Sequence, residues 1–289
     1  MIHPLLLAAG RRTSPLPAWN DPPPEHFLDL DFKSKNLTYV REHFNIYGES
    51  PAGNTHWGTG SPQYRAGRYS PDEIAFDARG MVFTMDPAYN GGTRYKTPAD
   101  IDAWWAAYVR HEYIPKYFDA SVRTKFDTTA GHWTAPIWFG RSSPLLEMDV
   151  EWFPNRPSYI RFALHTRFDG DSSTTNNVST GGGVGSHEYA IGDLDDWHVY
   201  RCVVLDDGSG GMIFRWYVDG ALLQERTTVE IETRYGKTMN NAIAGAYPDG
   251  GWTLDLSVNA GGVAVGYPDE VTSVGSEMIT EWLTVDDLT

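Results

Sequence analysis

From Phe27 onward, apolar and polar residues alternate with a period of two, the pattern of half-buried β-strands. Phe27–Phe32 reads FLDLDF, apolar and acidic in turn. The rhythm returns at Met81–Met85, Ala120–Phe126, Met148–Trp152, Ile160–Leu164, His198–Val204 and Met212–Val218. It closes with Trp252–Val258 and Ile279–Val285. Gly, Asn, Asp and Pro gather between these runs, as expected of an all-β sandwich or barrel. No internal repeat interrupts them, and residues 26–289 read as one β domain.

One segment has a different period. Thr97-Pro98-Ala99-Asp100 offers an N-cap residue, a proline at the first helical position and an acid where a capping box has Glu or Gln. Ile101, Trp104, Trp105, Tyr108 and Val109 then follow a helical stripe. The pattern predicts a short helix near 98–112 on a sheet edge. The polar stretch 169–196 predicts a long loop, of the kind that is functional or mobile.

Composition narrows the classes of partner. The chain has 289 residues, with 38 acids against 23 Lys and Arg, a formal charge of −15. Phosphate binding rests on clustered Lys and Arg, so nucleic acid is not the expected partner. No run of 18 apolar residues occurs, and no membrane insertion is expected. The single cysteine, Cys202, rules out an internal disulfide framework and a Cys-based zinc site. It lies in an apolar run and reads as a small core residue. At the start, residues 5–9 form too short an apolar stretch, with no basic region before it, for a signal peptide. Arg11 to Glu25 carries five prolines. Residues 1–25 read as an apolar plug on a Pro-rich tether, with a frayed tail as the plainer alternative.

Candidate chemistry centres on Leu145-Leu146-Glu147-Met148-Asp149-Val150-Glu151-Trp152. Acids at i, i+2 and i+4 of a strand share one face, while Met148, Val150 and Trp152 share the other. The Cα atoms of Glu147 and Glu151 are then about 13 Å apart. Side chains leaning together bring the carboxyl groups towards the ~5–5.5 Å of a retaining glycosidase pair. Asp149 between them would hold a proton or hydrogen bond and push the two glutamate pKa values apart. On the motif alone, a solvated acidic strand face is an equally good reading.

Context favours the chemical one. Glu147-Met148-Asp149-Val150-Glu151-Trp152 resembles the ExDxE signature of glycoside hydrolase family 16. Gly131-His132-Trp133-Thr134-Ala135-Pro136-Ile137-Trp138 is similar to that family's Gly-x-Trp-Pro-Ala-x-Trp segment, with one residue extra. Lys116–Lys125 resembles its Tyr-Gly-x-x-Glu-x-Arg-x-Lys strand. Trp197-His198-Val199-Tyr200 and Phe214–Gly220 look like its Phe-His-x-Tyr and Tyr-Val-Asp-Gly hairpin. The ordered set spans about residues 27–285.

The resemblance implies a concanavalin A-like jelly-roll β-sandwich and an endo-acting, retaining hydrolase of a β-linked polysaccharide. Carried over, Glu147 is the nucleophile, Asp149 its assistant and Glu151 the acid/base. Trp133, Trp138, Arg123 and His165 match substrate-binding or near-catalytic positions, although the tryptophans and His165 also read as core residues. His198 and Trp197 read as structural. No cofactor is expected for the chemistry; a structural calcium on the convex face is implied without assignable ligands. No His pair has metal-ligand spacing such as HExxH. The uninterrupted ExDxE spacing is that of lichenases and transglycosylases, which leans away from pure β-1,3-glucan. Ser257 stands where the family has a cleft Asn.

A non-catalytic carbohydrate-binding module on the same scaffold is the alternative, since fold does not fix function. The N-terminal Pro-Leu-Leu-Leu-Ala-Ala-Gly also looks like minor tail proteins of phages that infect actinobacteria. That likeness implies a virion location, tail-protein partners through residues 1–25 and host-envelope glycan as substrate.

Overall fold

The computed structural model describes residues 27–46, 67–87, 89–90, 93–94, 104–128, 132–142, 145–153, 157–166, 168, 186–239, 252–260 and 275–288. Residues 1–25, the expected tether, lie outside these, as does most of the polar stretch 169–196.

The first strands are β1 (Leu28–Asp31), β2 (Asn45–Ile46), β3 (Gly67–Tyr69), β4 (Ile74–Asp77) and β5 (Gly80–Phe83). Short ones follow: β6 (Asp86–Pro87), β7 (Tyr89–Asn90), β8 (Thr93–Arg94) and β9 (Trp104–Ala106). The long strands are β10 (Tyr108–Ile114), β11 (Phe118–Phe126), β12 (His132–Ser142), β13 (Leu145–Trp152) and β14 (Tyr159–Thr166). The chain continues through β15 (Ser186–Ala190), β16 (His198–Asp206), β17 (Met212–Val218) and β18 (Ala221–Thr227). It closes with β19 (Trp252–Ala260) and β20 (Met278–Asp287). Two short helices, α1 (Leu37–His43) and α2 (Thr228–Tyr235), are capped by Asn36 and Thr227.

The strands form a jelly-roll β-sandwich. One sheet runs β18-β17-β16-β11-β20-β5-β4, with β1 also on β20. The other runs β15-β14-β13-β12-β19-β10-β2. Every pairing within these two sheets is antiparallel, as alternating patterns with one buried face require. β1 lies against Trp282–Val285 of β20, joining the two ends of the described chain.

The inward faces interlock through large rings. Phe118 and Phe139 meet across the sheets, tilted, at 4.4 Å between centroids, Phe126 meets Trp152 at 5.8 Å, and Phe162 meets Trp216 at 6.3 Å. Each such side chain contributes roughly 1.5–3 kcal/mol by leaving water. Cys202 is buried among them, as its apolar setting suggests.

The helix expected near 98–112 is not the observed structure. Trp104–Ala106 and Tyr108–Ile114 are strands, and residues 95–103, with the expected cap at Thr97, lie outside the described residues. β10 is held between β19 and β2, so its ladder bonds replace helical ones. Tyr108 and Val109, neighbours on the expected helical stripe, point to opposite faces. Val109 belongs to the main core and Tyr108 to a separate buried cluster with Tyr69, Ala106, Ala135 and Trp138. Aromatic and β-branched side chains suit a pleated surface, and the sheet context overrides the local helical period.

Candidate active site

β13 is flanked by β12 and β14, near the middle of its sheet. Met148, Val150 and Trp152 are buried in the core, so Glu147, Asp149 and Glu151 project from the sheet's outer face. Against β14 the register is regular throughout: Glu147 faces His165, Asp149 faces Ala163 and Glu151 faces Arg161.

The three acids have unequal surroundings. The side chain of Glu147 is 26% exposed and that of Glu151 12%, but that of Asp149 only 2%. His165 Nε2 is 3.0 Å from Asp149 Oδ2 and 4.0 Å from Glu147 Oε1. Burial and the neighbouring Glu147 charge push Asp149 well above the usual carboxylate range, against the pull of His165. Burial opposes charging of His165, yet the close approach of Asp149 and the charges of Asp149, Glu147 and Glu151 raise it to about 10. Asp149 and His165 both bind a proton more tightly than usual. Protons at this pair limit the repulsion among three carboxyl groups on one strand face.

Arg161 Nε lies 3.7 Å from Glu151 Oε2. Its guanidinium also sits 5.4 Å from the Phe153 ring centroid, and Phe153 in turn stacks on Trp133 at 5.5 Å. Sequence reasoning missed Arg161. Once Glu147 is set opposite His165, antiparallel pairing alone places Arg161 opposite Glu151.

The extra residue in the 131–138 segment is a β-bulge. In β12 the register shifts between Thr134 and Ile137 against β13, and between Ala135 and Trp138 against β19. Trp133 and Trp138 are five positions apart and would otherwise face opposite sides. The bulge puts both on the acid-bearing face, Trp138 directly opposite Asp149. Both are 4–5% exposed and packed against neighbouring rings, so they wall the site rather than offer open platforms.

Beyond Trp138 lies Asp255 of β19, a fully buried carboxyl that sequence reasoning also missed. Arg110 Nε donates to it at 2.6 Å, Thr253 Oγ1 at 3.1 Å, and the Tyr108 hydroxyl closes the shell. Burial raises Asp255 to about 6 despite the Arg110 charge and these bonds. The signal was the polar row Thr253, Asp255, Ser257 and Asn259 alternating with core residues. Asn259 Nδ2 donates to Ser257 Oγ at 3.0 Å and its Oδ1 accepts from the Tyr69 hydroxyl.

Arg123 is not brought to this face. It lies on β11 of the opposite sheet, on the side away from the core, pairs with Glu281 and has Trp197 4.6 Å from its guanidinium carbon. Alternation along β11 sends Val122 into the core and therefore Arg123 to the outer face of that sheet. His198 pairs with Asp219 at 2.7 Å on the same sheet.

Among the described residues, Glu147, Asp149 and His165 are the group of acids and histidines whose donor atoms converge enough for one ion, within 4.8 Å of one another. They lie on the outer face of the acid-bearing sheet.

Comparison with protein-family models gives no match, and comparison with curated proteins gives none. Solved structures do match. The laminarinase catalytic domain of Thermotoga maritima aligns at a TM-score of 0.65 and 18% identity, covering 92% of this chain and 99% of that one. The endo-β-1,3-glucanase of Pyrococcus furiosus gives 0.66 and 17%, covering 90% and 93%. A glycosyl hydrolase family 16 protein of Mycobacterium smegmatis gives 0.59 and 18%, covering 90% and 100%. The fold is that of glycoside hydrolase family 16. At these identities the family 16 likeness speaks for architecture, and the chemistry rests on the acids described above.

Proposed function

We propose that the protein is a retaining, endo-acting glycoside hydrolase of a β-linked polysaccharide. Glu147 attacks the anomeric carbon and Glu151 protonates the departing oxygen. Glu151 then activates the water that releases the sugar. Asp149, with His165 behind it, holds a proton beside the nucleophile and steadies its charge through the cycle. The observation that carries this reading is the graded burial of three acids on one strand face. Two are reachable glutamates, and the aspartate between them is closed off against a histidine.

Trp133 and Trp138 are covered, which weighs against a purely sugar-binding use of this face, since stacking needs exposed ring faces. Proteins of the same fold named as laminarinase and endo-β-1,3-glucanase put β-1,3-glucan among the first substrates to try. The unbulged β13 keeps mixed-linkage glucan beside it. If residues 1–25 tether the chain to a phage tail, a host-envelope glycan is the natural target. Removing them should then spare hydrolysis and abolish incorporation into the particle.

A panel of β-glucans, galactans and arabinogalactan, read by reducing ends and anomeric NMR, tests the proposal. Retained configuration is expected, with activity lost in Glu147→Gln by roughly 10³-fold or more. An inverted product, or full activity in Glu147→Gln, would defeat it.

A further inference from the structure

We propose that Glu147, Asp149 and His165 also form a binding site for one divalent transition-metal ion, zinc above all, and that the ion excludes substrate. The inhibition rests on the hydrolase reading above; the binding does not.

The geometry comes first. A tetrahedral zinc ion with bonds of ~2.0–2.2 Å holds its ligand atoms roughly 3.3–3.6 Å apart. His165 Nε2 is 3.0 Å from Asp149 Oδ2 and 4.0 Å from Glu147 Oε1, and these distances bracket that requirement. All three donor atoms lie within 4.8 Å of one another, and small side-chain rotations close the set on one ion. A second observation points to a cation independently. Both carboxyl oxygens of Asp149, the Oδ2 that faces His165 included, are buried without a well-formed hydrogen bond, on a side chain 2% exposed. An unpaired buried acceptor is costly, and a bound ion would satisfy it.

The donor set selects the metal. One imidazole with two carboxylates suits zinc, whereas calcium takes six to eight oxygens. The two carboxylates balance a dication, and the ion replaces the proton between His165 and Asp149, which leaves to solvent. A ligated Glu147 no longer offers its lone pair to a sugar.

Calorimetric titration of zinc chloride into the metal-stripped full chain reads this directly. One ion per chain is expected. His165→Gln and Asp149→Asn should each weaken it by about tenfold or more, while Glu151→Gln leaves it within about twofold. Zinc should also stop hydrolysis of laminarin, and EDTA should restore it. Absence of saturable binding, or unchanged affinity in a natively folded His165→Gln, would overturn the site. Zinc that survives purification, with activity lost on chelation, would overturn the inhibitory role and make the ion a cofactor. Failure to cleave any glycan would sink the hydrolase reading alone, because saturable zinc binding that depends on His165 would still support the site.

Discussion

The indole Nε1–H of Trp216 donates a 3.0 Å hydrogen bond to the backbone carbonyl of Asp149. Trp216 is fully buried and belongs to β17, in the sheet that carries none of the three acids. The middle of the acid strand is therefore held from across the core, at the residue whose carboxyl is most enclosed.

Replacing Trp216 by Phe keeps a ring in place but removes the donor. The expected cost is about 1–3 kcal/mol, with a near-native fold. Urea unfolding at neutral pH measures the loss. Hydrolysis should fall by less than in any replacement of Glu147 or Glu151, since no reacting group is touched.

His165 ties stability to pH with a definite sign. Its folded pKa of about 10 lies above the ~6.5 of an unfolded histidine, so the native state binds the proton more tightly. That contribution is complete below pH 6.5 and is lost as pH rises towards 10. The stability gap between wild type and His165→Gln should narrow over that range, by at most about 1.4 kcal/mol per pH unit. Denaturant titrations at pH 6, 8 and 9.5 check it; a gap that widens with pH would contradict the assignment.

Arg110 and Asp255 make a different prediction. Arg110→Met would leave a fully buried carboxyl without its cation, at an expected cost of about 3–5 kcal/mol. Without Arg110, the carboxyl's pKa rises beyond its present value of about 6. The penalty is therefore greatest at pH 8 and eases as pH falls to 5, where Asp255 becomes neutral. Thermal unfolding at both pH values reads the difference.

Arg123 supplies a control. It binds Glu281 on the far sheet, so Arg123→Ala should lower the melting temperature and leave kcat/KM within about twofold. A larger loss of activity would return Arg123 to the site that its sequence motif suggested.

Much of the sandwich was legible because alternation is a local property that the sheet preserves. FLDLDF, the acid strand and the Met212–Val218 run each occupy the strand their pattern predicts. The 98–112 segment misled because its apolar spacing fits both periods, and only β19 and β2 decide between them. α2 was readable and overlooked. Thr227 and Glu230 have the spacing of a capping box, Thr227 Oγ1 accepts from Glu230 N at 3.0 Å, and Gly236 ends the helix at φ +62°. At the site, the three acids and His165 could be listed from order and resemblance. Arg161 and Asp255 required knowing which strands are neighbours. Arg123 shows the converse: a matching motif does not say which sheet a strand joins.

The bulge in β12 has a consequence for how this chain tolerates change. Strand faces count residues by parity, and the bulge is where the count is reset. Losing one residue from a surface loop is often harmless, but losing one between Thr134 and Ile137 acts like a frameshift in space. Trp133 would turn into the core and Thr134 out onto the acid-bearing face, leaving the acid strand itself unaltered. A one-residue length change in this strand is thus a switch between two wall compositions of the same site, available to evolution without touching a single acid.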